Sequence, residues 1–265
     1  MSDIFSFRRF GLLFKKTILE RPVQLFGLTA LSLALVFFSY LIGKALGDFE
    51  SGQFASFIVG IVGGGSFLAS MVFNYFSSNA MGSSFLTLPA SHFEKWLCGV
   101  LITGVIYVVV FLLFYRAIDT MFVSIYHNGL DPNGPFYKQL YEQVGILSYD
   151  DYVPQKGIHI FFIFAGAMLL GSLYFNRVGF IKVALILCVL WSGLYLINLL
   201  IAKSMIPNTE NALPFLQAYI NAGERKSGVI TLPLGMARTV TYIFNYFLPA
   251  SLWLLTLQRL REKEF

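Results

Sequence analysis

Six stretches of this chain carry no Asp, Glu, Lys or Arg: 22–43, 53–76, 96–115, 157–176, 183–202 and 239–258. Each is long enough to cross a lipid bilayer, which takes roughly 20 mostly apolar residues. In hydrocarbon no water is available to the peptide groups, so a spanning segment must satisfy its own N–H and C=O groups. Helices do so within one segment. A barrel would need alternating apolar and polar positions, and these stretches are uniformly apolar. Composition agrees, with 57% of residues hydrophobic and 12% charged, roughly half the charge of a soluble domain. The expectation is an all-α polytopic membrane protein of six transmembrane helices, forming a single domain over 1–265.

Lys and Arg set the orientation. With the N-terminus inside, the inner segments hold eleven basic and five acidic residues, and the outer segments eight and nine. Both termini are therefore expected in the cytoplasm. The surplus of +5 reads as an orientation and anionic-lipid signature, with no case for nucleic-acid binding. The first apolar run is too long for a cleaved signal peptide and is expected to stay as a span.

Ahead of it, residues 4–20 place Phe7, Phe10, Phe14 and Ile18 on one side of a helix and Arg8, Arg9, Lys15 and Lys16 on the other. Leu12 and Leu19 interrupt the basic face. This predicts a helix lying in the inner membrane interface, stopped at Arg21-Pro22. The outer loops, 116–156 and 203–238, are long. The first holds the turn cluster NGLDPNGP and a short helix candidate, FYKQLYEQVGIL. In the second, Asn211 caps a short predicted helix with Pro214 in its first turns and a stop near Gly223. The following ITLPLGMA either dips back into the membrane or folds over the outer end of the bundle.

Catalytic and coupling chemistry is sparse. No ionisable residue falls mid-span, which disfavours a proton- or sodium-coupled transporter. His92, His127 and His159 are scattered, and Cys98 and Cys188 are far apart without a CxxC or Cys/His cluster, so neither a metal site nor a disulfide framework is expected. The glycine run GIVGGGS lies within a span and lacks the Gly-Lys-Ser/Thr ending of a phosphate loop. The chain is expected to have no ATPase and no enzymatic activity of its own. That span instead presents a small-residue face, Ser56, Gly60 and Gly64, which suits a close helix crossing within this chain or with a second copy. Ala167 and Gly171 form a weaker version on the fourth span.

The inner segment 77–95 ends in TLPASHFEKW, where Ser91 and Glu94 have capping-box spacing and Pro89 ends what precedes them. Trp96 follows at the membrane surface. The basic amphipathic lead-in helix, six spans, the LPASHFEK loop, the GSLYFNRVGFIK turn and the SLWLLTLQRLREKEF end resemble the permease subunits of bacterial type-2 ATP-binding-cassette exporters. The resemblance implies location in the bacterial inner membrane, a homodimer or a pairing with a related permease, and a separate cytoplasmic ATPase subunit that holds ATP and Mg. It implies that Pro89, Ser91, Glu94 and Lys95 form the corner that couples to that ATPase, beside Arg8, Arg9, Lys15 and Lys16. It also implies short re-entrant helices between spans five and six, and a hydrophobic or amphipathic cargo moved outward. The rival expectation is a non-transporting scaffold or assembly subunit whose outer loops hold partner proteins.

Overall fold

A computed structural model describes residues 5–45, 49–77, 79–175, 179–206, 209–213, 217–221, 227–231 and 233–263. Its helices are α1 (Phe7–Glu20), α2 (Pro22–Ala45), α3 (Phe49–Val72), α4 (Asn79–Leu86), α5 (His92–Asn128), α6 (Tyr137–Gln143), α7 (Tyr152–Tyr174), α8 (Gly179–Met205) and α9 (Gly235–Arg261). Six of them, α2, α3, α5, α7, α8 and α9, are long and apolar enough to cross a membrane. The protein is therefore all-α and multi-pass in its frame, with one small sheet inserted before α9.

The core forms around α3 and α7, the spans with the largest share of buried residues. Gly60 abuts Val36 of α2 and Phe111 of α5, and Gly64 abuts Ser32 and the Tyr107 hydroxyl. A β-carbon at Gly64 would lie 2.6 Å from that hydroxyl, inside van der Waals contact. Between two apolar solvents, lipid and protein, such close backbone approach is what holds helices together. The small-residue face is thus consumed inside the chain. Gly171 does the same for α7 against Val183 of α8.

Each of α3, α5 and α9 contains a π-helical turn, at Val59–Gly64, Leu101–Ile106 and Ile243–Phe247. In α9 the cause is local. Pro249 has no N–H, and its ring would clash with the carbonyl four residues back, Asn245, so the widened turn takes up the conflict. At the π turn of α5, Trp253 of α9 wedges between Gly104 of α5 and Gly166 of α7. Its Nε1 donates to the Phe162 carbonyl at 2.9 Å.

Two expectations need correction. The third span does not give way to a loop after Tyr115, because α5 runs on to Asn128. The charges Arg116 and Asp119 end the apolar stretch without ending the helix, since both are satisfied by protein. The segment after Asn211 is not a helix. Strands β1 (Thr209–Leu213), β2 (Gln217–Asn221) and β3 (Ser227–Thr231) form an antiparallel meander in the order β1-β2-β3. Pro214 and Gly223, and Asn176 to Val178 of the inner turn, lie outside the described residues. The strands hold β-branched and aromatic residues, and α8 supplies tertiary contacts that override weak helix propensity: Tyr195 Oη donates to Asn211 Oδ1 at 2.8 Å and Asn198 Nδ2 to the Ala212 carbonyl at 3.2 Å.

Candidate functional site

The corner expected on the inner side is built on Glu94. Ser91, in extended backbone conformation, caps α5: its Oγ accepts from Glu94 N at 3.1 Å, while Glu94 Oε2 accepts from Ser91 N at 2.8 Å. The other carboxylate oxygen reaches a different element. Oε1 accepts from Ser6 N at 2.7 Å, at the start of α1, and from Arg9 Nη2 and Nε at 3.1 and 3.3 Å. Glu94 has no solvent exposure. One carboxylate therefore caps α5 and fastens the first turn of α1 to it.

Lys95 is equally internal. Its Nζ donates to the Leu86 carbonyl at 2.8 Å, satisfying an orphan acceptor at the C-terminal end of α4. It also sits 5.6 Å from the centre of the Phe85 ring. Phe85 stacks on Tyr75 at 4.5 Å, and the Arg21 guanidinium covers the other Tyr75 face at 3.8 Å. This column of two cations and two rings joins the α1–α2 junction, the end of α3, α4 and α5.

The residues chosen from sequence thus divide. Ser91, Glu94 and Lys95 converge with Arg9, but Glu94 and Lys95 face inward, where a partner cannot touch them. Pro89, Arg8 and Lys15 are exposed, and Lys16 pairs with Glu20 at 3.3 Å. The buried face of α1 also turns from expectation: Leu13 and Thr17 are buried with Phe10 and Phe14 beside them, whereas Phe7, Leu12 and Leu19 lie on the open face with Arg8 and Lys15. Thr17 Oγ1 accepts from Cys98 Sγ of α5 at 3.7 Å, so α1 is seated along its length. Trp96 turns to a helix: its Nε1 donates to the Trp253 carbonyl at 2.9 Å, carrying the contact chain from the corner into α9 and through Trp253 into α7.

Of the helix-packing residues, Gly60 and Gly64 fit as described, and Ser56 is fully buried with its Oγ donating to the Gln53 carbonyl at 2.9 Å.

A second polar cluster escaped the sequence reading. Asp119 of α5 is 1% exposed, and its Oδ1 accepts from Tyr40 Oη and Gln53 Nε2, both at 2.6 Å. Its Oδ2 accepts from Leu147 N at 2.7 Å. Arg116 Nη1 donates to the Leu147 carbonyl at 2.9 Å and its guanidinium covers Tyr149 at 4.4 Å. The segment 144–149 is strapped across α2, α3 and α5 by these bonds. The available signal was the Arg116/Asp119 pair at helical spacing just beyond an apolar run.

Among the described residues no group of three or more His, Cys, Asp or Glu could hold a metal ion. No protein-family model, no curated protein and no solved structure matches the chain.

Proposed function

We propose that the protein is the permease subunit of an ATP-driven exporter, working as a dimer with a separate ATPase subunit bound at the inner corner in the bacterial inner membrane. The observation that carries this reading is the Glu94 latch. It welds the lead-in helix to the capped start of a span that runs through the whole bundle. A force on this corner reaches α5 directly, and α9 and α7 through Trp96 and Trp253. The partner's footprint is the exposed rim, Pro89, Arg8 and Lys15, with Glu94, Ser91 and Lys95 as the frame beneath it. Full charges in the spans lie in end turns or, for Arg116 and Asp119, in the outer third of α5. That distribution suits a hydrophobic or amphipathic cargo.

The test is purification from the native membrane in mild detergent, comparing wild type with an Arg8→Glu, Lys15→Glu double variant. The expected result is an ATP-binding-cassette subunit that accompanies the wild type and is lost from the folded variant. If crosslinked wild type captures no ATPase, the permease reading fails. The second reading, a non-transporting scaffold, then leads. It draws on the Asp119 strap, which gives the outer side a fixed surface for partner proteins.

A further inference from the structure

The sheet before α9 has two edges in different circumstances. The β1 edge is covered by α8, whose Asn198 donates to the Ala212 carbonyl and whose Tyr195 bonds Asn211. The β3 edge has no strand beside it among the described residues. Val229 and Ile230 on that strand are 52% and 43% exposed. Open edges are ordinarily blunted by charge, proline or a bulge, and β3, SGVIT, has none of these.

The position of the sheet sharpens the problem. Tyr195 and Asn198 lie inside the apolar stretch 183–202, so β1 packs against the apolar part of α8. Register then carries that contact row across the sheet. Asn211 pairs with Tyr219 and Tyr219 with Val229, while Ala212 pairs with Ala218 and Ala218 with Ile230. Val229 and Ile230 are on the same rungs as the α8 contacts. Beside an apolar span, unpaired backbone cannot face lipid; it must meet protein or line an aqueous cavity.

We infer that the β3 edge is closed by β3 of a second copy, antiparallel about a two-fold axis at Val229, giving one six-stranded sheet across the dimer. The occupant is chosen by self-complementarity. About that axis Val229 faces Val229 of the second copy, and each Ile230 lies opposite Gly228, which leaves room for its larger side chain. The α8 helix beside the sheet, with most of its residues exposed and Val183 its one buried residue among those described, leaves space for a second chain to approach. This inference rests on the dimeric part of the reading above and names the contact that makes it.

The experiment uses the full chain in mild detergent, in a Cys188→Ser background because Cys188 is exposed and Cys98 is buried. Directly opposed residues of antiparallel strands have α-carbons about 4.5–5.5 Å apart, within disulfide range. Val229→Cys is therefore expected to form a covalent dimer under mild oxidation, whereas Asn211→Cys on the covered edge remains single. Ile230→Lys, which places a charge on the edge, is expected to lower the dimer fraction at least tenfold while leaving the helical circular dichroism of the chain unchanged. If the wild-type mass is that of a dimer yet Val229→Cys does not crosslink, the edge assignment is overturned and the permease reading stands. Rapid labelling of Val229→Cys by a water-soluble thiol reagent in that dimer overturns it in favour of an aqueous cavity. A one-chain mass at every concentration overturns the edge pairing and the dimer together.

Discussion

Replacing Glu94 by Ala removes the latch at its centre, and the geometry sets the size of the effect. The ion pair with Arg9 contributes little, because the Arg9 side chain is 38% exposed and returns to water. The two backbone donors weigh more. Ser6 N and Ser91 N, at 2.7 and 2.8 Å, both lose an ionised acceptor, at about 1.5–3 kcal/mol each. The expected loss is therefore about 3–6 kcal/mol, against about 1 kcal/mol or less for Arg9→Ala. At roughly 2–4 °C per kcal/mol for a chain of this size, purified Glu94→Ala should unfold at least ~6 °C below wild type in detergent. Limited trypsin digestion should show the accompanying local change, with cleavage at Arg8 and Lys15 well before the spans are attacked. Ser91→Ala should reproduce only the capping part, about 1 kcal/mol. Were Glu94→Ala to unfold within a degree of wild type, or Arg9→Ala to match its loss, the carboxylate would not be the latch described here.

Three further outcomes follow from other contacts. Asp119→Asn sets an amide N–H₂ against either Leu147 N–H or the Tyr40 and Gln53 donors, so at least one donor faces a donor. About 1–3 kcal/mol should be lost, with faster amide hydrogen exchange confined to 144–149; unchanged exchange there would remove the strap. Gly64→Val drives a branched side chain into Ser32 and Tyr107 and should abolish the monodisperse peak in detergent size-exclusion chromatography, whereas Gly63→Val, with open space around it, should not. Trp253→Phe deletes the donor to Phe162 and empties the slot between Gly104 and Gly166. It should cost about 1–3 kcal/mol in thermal unfolding, and a midpoint equal to wild type would show that Trp253 does not lock α9.

Much of the inner side was legible because its signals are local. Ser91 and Glu94 are three residues apart, so the capping box follows from spacing alone, as does the break at Arg21-Pro22. The direction in which Glu94 and Lys95 point was not legible. Charged residues in a short inner loop read as exposed until Ser6, Arg9 and the Leu86 carbonyl are placed around them, and those partners lie as far as 88 positions away. The far end of α5 was misread for the same reason: Asp119 looked like the start of a loop because Tyr40, Gln53 and Leu147 are remote in sequence.

By itself the sequence determined that six helices cross a membrane, because hydrocarbon leaves a long apolar segment no other way to satisfy its backbone. It also determined that one of them carries a face of small residues. Only the tertiary structure decided which partners those groups meet. Gly60 and Gly64 meet α2 and α5, Glu94 meets the start of α1, and the segment after Asn211 becomes strands against α8. The division is physical: solvent acts on each residue where it stands, whereas a hydrogen bond or a close packing contact exists only once the chain has brought both halves together.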